Sequence, residues 1–176
     1  NIFYEESIRV PFLIQWKDKL SSGIKLDTLL STVDIMPTIL GLVDVEIPKE
    51  VEGTDLSLIL KEKRFDEPSF AFLMNTGACA VWEDGHEWRA IRDKKYTYAV
   101  YRGSKDLPRK ELFFDNINDP FQLNNLIDNS KYLTEINRFR NFLSEKMNQL
   151  NDEFPASSWY LKNWIQDRNI RRTATI

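Results

Sequence analysis

The run Gly85-His86-Glu87-Trp88-Arg89 brings the chain's single histidine together with a carboxylate, an indole and a guanidinium. Such a group can hold an anionic or sugar-like ligand. A guanidinium fork offers parallel N–H donors to an acidic group, and charged clusters in clefts mark sites more often than chance. His86 and Arg89 are therefore the candidate substrate contacts. The same residues could also do no more than finish a sheet edge. The single cysteine, Cys79, lies in G-A-C-A-V. It reads as a small strand residue and not as a nucleophile, because free cysteine is usually buried.

No self-contained catalytic motif accompanies this cluster. The sequence has no G-x-S-x-G, no phosphate-binding glycine loop, no H-E-x-x-H and no paired C-x-x-C. One His and one Cys cannot build a His- or Cys-rich zinc site. No metal site is expected within the chain.

The cluster opens a predicted hairpin. Trp88, Ala90 and Ile91 lie in one arm, Tyr96, Tyr98 and Val100 alternate along the other, and Arg92-Asp93-Lys94-Lys95 lies between them. Aromatic and β-branched residues at period two fit a pleated, half-buried surface. The turn lacks the glycine of the usual two-residue hairpin loops, so its type stays open. Further strands are predicted at Ser69–Met74, Cys79–Trp82 and Arg109–Phe114, the last stopped by D-N-I-N-D-P. Between about Ser130 and Asn151, Leu133, Ile136, Phe139 or Arg140, Leu143, Met147 and Leu150 recur at spacings of three and four. That pattern predicts a helix that buries one stripe, with an antiparallel sheet as its partner. The tail S-S-W-Y-L-K-N-W is aromatic enough to be pinned to the body.

Towards the start, I-R-V-P-F-L-I-Q-W at Ile8–Trp16 reads as a strand that begins after Pro11. Ile24–Leu30 is a possible short strand. Ser31, Thr32 and Asp34 are candidate caps for a helix carrying Ile35, Met36, Ile39 and Leu40. Pro37 is tolerable there only in the first turn, which places the helix start near Val33–Ile35. Asp55 caps a short apolar helix. Glu5 and Arg9 read as an ion pair or cap, and Asp119 before Pro120 as a turn former.

The chain has 176 residues, 42% of them hydrophobic, enough for a real core. With 24 basic and 27 acidic side chains, no basic excess points to nucleic acid. No apolar run reaches the length of a membrane span. The sequence begins at Asn1 and enters an apolar run almost at once, so a strand there would need neighbours from upstream. The expectation is a piece of something larger.

Four stretches together resemble the C-terminal portion of a sulfatase of the alkaline-phosphatase-like superfamily. They are Y-E-E-S-I-R-V-P-F-L-I at Tyr4–Ile14, S-T-V-D-I-M-P-T-I-L-G-L at Ser31–Leu42 with G-T-D-L at Gly53–Leu56, E-W-R-A-I-R-D-K-K-Y-T-Y at Glu87–Tyr98, and E-L-F-F-D-N-I-N-D-P-F-Q-L-N-N-L at Glu111–Leu126. The resemblance implies an α+β fold: a small antiparallel sheet of about four strands with a long helix on one face. An N-terminal strand and helix would be left over from the larger α/β domain. It divides the chain into residues 1–65, the end of that catalytic domain, and residues 66–176, the C-terminal subdomain.

In function, the resemblance implies hydrolysis of sulfate esters, of a sulfated carbohydrate in particular, in the periplasm or outside the cell. Such enzymes use a formylglycine made within C-x-P-S-R and a bound calcium, which withdraws charge from the sulfate. Those motifs lie upstream of Tyr4 in the family's order, and neither C-A-V-W-E nor Asp84-Gly85-His86 matches them. Catalytic residues and calcium are thus expected in the intact parent and not here, and the chain alone is expected to be inactive. The C-terminal subdomain borders the cleft in this family, which gives Arg89 and His86 to the substrate's leaving group. The alternatives are part of a phosphodiesterase or phosphonate-ester hydrolase of the same superfamily, or a carbohydrate-binding module. Apolar residues left uncovered in the N-terminal third point to self-association or to disorder of that third.

Overall fold

The computed structural model describes residues 2–62, 66–77, 83–166 and 169–170. The predicted strand at Cys79–Trp82, with Cys79 itself, lies outside them. Two compact units divide the chain. One is Val10–Ala71; the other joins Asn1–Arg9 to Phe72–Ile176. The first residues thus belong with the C-terminal portion, although the sequence reading grouped them with residues 10–65.

The larger unit is built on a four-stranded sheet of order β1-β2-β3-β4, from β1 (Ala71–Asn75), β2 (Trp88–Arg92), β3 (Tyr96–Tyr101) and β4 (Lys110–Asp115). β2 and β4 both pair antiparallel with β3, with Ala90 opposite Ala99 and Ala99 opposite Leu112. The hairpin closes without glycine. Asp93 N–H donates to the Tyr96 carbonyl, and the Asp93 carboxylate accepts from the N–H groups of Lys95 and Tyr96 at 2.8 and 2.6 Å. The aspartate side chain caps the turn in place of a left-handed residue.

Both faces of this sheet are covered, so the expected half-buried surface is buried on each side. One face carries Ile91, Tyr96, Tyr98 and Phe113. Against it lies the predicted helix, a 3₁₀ turn at Ser130–Tyr132 running into α4 (Leu133–Gln149). Its buried stripe is Ile136, Phe139 and Leu143, and Leu133 falls outside it. Phe139 meets Tyr96 and Phe113 edge-on at 6.1 and 5.5 Å between ring centres. The opposite face carries Trp88, Ala90, Ala99, Leu112 and Phe114, and it is closed by Phe3 and Tyr4. Phe3 has no exposed surface.

A one-turn helix, α1 (Glu5–Ile8), follows Tyr4. Glu5 pairs with Arg92, whose Nε and Nη2 donate to its two carboxylate oxygens at 2.6 and 2.9 Å. The partner is therefore a strand residue 87 positions away and not Arg9. Glu5 N–H donates to Gln122 Oε1 at 2.9 Å, Gln122 Nε2 donates to Asn116 Oδ1, and Asn116 Nδ2 donates to Thr97 Oγ1. A polar layer of buried groups is thus satisfied internally, as burial demands.

The free edge of β4 is capped as well. Phe113 N–H donates to Asn125 Oδ1, and Leu126 N–H returns to the Phe113 carbonyl. A covered edge cannot pair with another chain. The aromatic tail forms α5 (Ser157–Trp164), pinned as expected, followed by a two-residue ladder of β5 (Ile165–Gln166) and β6 (Asn169–Ile170).

In the unit Val10–Ala71, α2 runs Thr32–Leu42 and α3 Ser57–Leu60. The helix starts earlier than predicted and carries Pro37 in its second turn. Asp34 explains the start: its carboxylate accepts from the N–H of Ser31 and of Thr54, both at 2.7 Å. Proline gives no N–H to the Val33 carbonyl four residues back. That carbonyl faces Gly53, where a Cβ would meet its oxygen at 2.3 Å and where φ is +97°. V-D-I-M-P-T and G-T-D-L are thus two halves of one knot, completed by Leu56 N–H donating to Thr38 Oγ1 at 3.0 Å.

The strands predicted at 8–16 and 24–30 do not form: Ile8 ends α1, and residues 9–16 and 24–30 enter no ladder. The described residues of this unit hold no strand before β1 begins at Ala71, so an extended segment there has nothing to pair with. Its apolar side chains stay open, with Val10 75% and Leu13 94% exposed.

Candidate functional site

The mouth of the hairpin is assembled around two buried charges that point in different directions. Glu87 has no exposed surface. Its Oε2 accepts from Gly85 N–H at 2.8 Å and its Oε1 from Ser157 N–H. It therefore fixes the turn that carries His86 to the start of α5. Ser157 Oγ adds a bond to the Thr76 carbonyl at 2.5 Å, and Ser158 binds Asp84 through its N–H and its hydroxyl.

Arg89 is fully buried. All five of its N–H donors are engaged. Nε and Nη2 grip the Asp152 carboxylate, the second at 2.9 Å. Nη1 donates to the carbonyls of Asn75 and Trp88 at 3.0 and 3.1 Å, and Nη2 also donates to Tyr160 Oη at 2.9 Å. The guanidinium lies 4.5 Å from the Phe154 ring centre. Burial works against its charge, but the bonds to Asp152 and Tyr160 outweigh burial and hold its pKa above the ordinary value. The residue that a linear reading points at a ligand is here a clamp joining β1, β2, the segment after α4, and α5.

His86 is placed differently. Its side chain is about half exposed, with Nε2 3.8 Å from Glu83 Oε2. It lines a cleft of about 340 Å³ together with Gly85, Tyr101, Leu107, Arg109 and Lys110. The wall opposite His86 is set by the loop after β3. Gly103 makes that loop possible: φ is +76°, and a Cβ there would meet Arg109 N at 2.5 Å. Ser104 N–H closes onto the Leu107 carbonyl at 2.7 Å, and Ser104 Oγ accepts from the N–H groups of Asp106 and Leu107. Arg102 ties the loop's base to the Phe154 carbonyl at 2.9 Å.

The structure thus separates the two sequence candidates, His86 in the cleft and Arg89 buried on the sheet face that packs against α4. Sequence reading did not single out Tyr101, Arg109 and Lys110 for the site. Their signal was present in P-R-K after a glycine turn, but it looks like any solvated basic loop. Among the described residues no three or more His, Cys, Asp or Glu side chains gather as metal ligands. The residues described do not fit calcium.

The four-stranded antiparallel sheet backed by one long helix is a fold shared with solved sulfatase structures. The putative sulfatase yidJ from Bacteroides fragilis superposes with a TM-score of 0.69 at 27% identity, over 90% of this chain and 33% of that one. A phosphonate monoester hydrolase from Silicibacter pomeroyi shares the fold, with a TM-score of 0.53 at 21% identity over 66% of this chain and 24% of that one. The chain belongs to the N-sulphoglucosamine sulphohydrolase C-terminal family, whose model matches residues 1–153. It is 37% identical to an ulvan-active sulfatase of Formosa agariphila over 96% of its own length and 33% of that protein's. It is 32% identical to an endo-4-O-sulfatase of Bacteroides thetaiotaomicron over 96% of its length and 34% of that protein's. The chain therefore spans about a third of the curated relatives it matches.

Proposed function

We propose that this chain is the substrate-bordering subdomain of a sulfatase that hydrolyses sulfate esters of a sulfated carbohydrate. The observation that carries the reading is the family match over residues 1–153, coupled to a hairpin whose mouth opens on a cleft. The chemistry at sulfur belongs to formylglycine and calcium in the rest of the polypeptide. This chain supplies contacts remote from the sulfur, which set specificity more than rate. His86 donates a hydrogen bond to the sugar of the leaving group. Arg89, buried on the sheet face that packs against α4, acts as a positioning residue that holds the strand bearing the mouth. A polymeric sulfated glycan as substrate puts the enzyme in the periplasm or outside the cell.

The test uses the polypeptide that carries this chain. It should release sulfate from a sulfated oligosaccharide and from a small aryl sulfate, and leave an aryl phosphonate monoester largely uncleaved. His86→Ala should raise KM on the oligosaccharide about five-fold, the loss of one hydrogen bond. The aryl sulfate should be unaffected. Preferential turnover of the phosphonate ester would give the chain to the phosphonate-ester hydrolases instead.

A further inference from the structure

Arg109 and Lys110 are the part of the cleft that the proposed contact by His86 leaves without a role. Both are exposed, and neither has an ion-pair partner among the described residues. The acid that follows them in sequence, Glu111, is taken by Arg140 at 2.7 Å. Lys105 lies in the same loop. Residues 102–110, R-G-S-K-D-L-P-R-K, carry four cations against the single acid Asp106, and Glu83 lies beside His86.

A basic surface loop is usually a mobile, solvated one. This loop is not built that way. Gly103 packs against the backbone of Arg109, Ser104 bonds three times within the turn, and Pro108 fixes the backbone just before the two cations. Cations on a preorganised backbone lose less entropy on binding than cations on a floppy one. Beside them, the half-buried Tyr101 ring forms the floor, held from behind by Phe3 at 5.7 Å between ring centres. The cleft therefore offers an apolar ring face with two cations at its rim.

From this arrangement we propose that Arg109 and Lys110 form a subsite for a second anionic substituent of the glycan, a sulfate or a carboxylate on the sugar that rests against Tyr101. The proposal rests on the carbohydrate reading above and adds the charge of the ligand. A guanidinium takes an oxyanion through two parallel N–H bonds, and an ammonium adds a point charge. The cleft would then select glycan units bearing more than the one group to be hydrolysed.

Binding to the chain itself tests this by titration calorimetry, without turnover. The probes are a disulfated uronate-hexosamine disaccharide, its unsulfated uronate counterpart, and a neutral disaccharide. The wild-type chain should bind the disulfated probe with an affinity that falls as salt rises. Arg109→Ala/Lys110→Ala should weaken that binding about ten-fold or more, and Arg109→Glu/Lys110→Glu should abolish it, each with an unchanged far-UV spectrum. The neutral disaccharide should bind the variants and the wild type alike. Retention of the unsulfated uronate's affinity advantage over the neutral sugar, dependent on the same two residues, assigns the subsite to carboxylate; its loss assigns it to sulfate. Equal binding of the disulfated probe by wild type and both variants overturns the subsite, as does an equal loss on the neutral sugar. Failure of the function reading is seen elsewhere, as absence of sulfate release by the longer polypeptide, and would leave these binding ratios intact.

Discussion

Arg89 shows how far a residue's type can mislead about its place. Its sequence neighbours are a histidine, a carboxylate and an indole, a ligand-binding set. Its partners in space are Asp152 and Tyr160, 63 and 71 positions away. Nothing in a linear reading links W-R to an aspartate that follows a helix. Strand alternation did carry a hint, since Arg89 shares a face with Ile91, and that face is the one covered by the helix. A charged residue on a buried face needs a buried partner. Breaking such a pair leaves the other charge unpaired, at a cost of about 3–5 kcal/mol. Arg89→Ala should lower unfolding stability by that order in urea titrations. Arg89→Lys should recover less than half, because one ammonium cannot replace a five-donor fork. Full recovery by lysine would mean that charge alone matters.

Among the elements, strands and helices that follow hydrophobic period were legible, and those that depend on a neighbour were not. β2, β3 and α4 announce themselves by spacing alone. The segment 8–16 has equally strand-like residues but lacks a partner strand; Ile8 ends α1, and residues 9–16 stay open chain. α2 starts ahead of the position that Pro37 alone predicts, because the Asp34 carboxylate accepts from two backbone N–H groups and fixes the helix end.

The turn after β4 carries a pH consequence. Burial alone would raise the pKa of Asp115, but its carboxylate accepts from Asn118 N–H, from the Asn118 side chain and from Ile117 N–H, and the net shift is downward. A carboxylate with a depressed folded pKa adds stability above the unfolded value, about 3.9, and loses it as pH falls through the folded value. Acid unfolding monitored by tryptophan fluorescence should therefore show a loss below about pH 4 that Asp115→Asn diminishes. An unchanged acid profile in that variant would remove Asp115 from the account.

At the scale of the whole molecule, the unit Val10–Ala71 exposes Val10, Leu13, Ile24, Leu26, Val33, Met36 and Val45. Apolar surface of that extent finds a partner. The isolated chain should self-associate in sedimentation velocity at micromolar concentration, and Leu13→Ser/Val10→Ser should shift it towards monomer. It should also show no turnover of an aryl sulfate above a buffer blank. A concentration-independent monomer would contradict the first expectation, and measurable turnover the second.

The closure of the sheet's second face by Phe3, Tyr4 and Glu5 governs the order of events in folding. Glu5 bonds to Gln122 across 117 positions and to Arg92 across 87. Contacts of that span must overcome loop-closure entropy before they return any stabilisation. The hairpin and α4 are local and can form first, leaving Trp88 and Ala90 uncovered until the N-terminal segment docks. The segment should then be absent from the folding transition state. Glu5→Ala should speed unfolding several-fold and leave the refolding rate nearly unchanged in stopped-flow chevrons. A slowed refolding arm would instead place this long-range clasp in the nucleus.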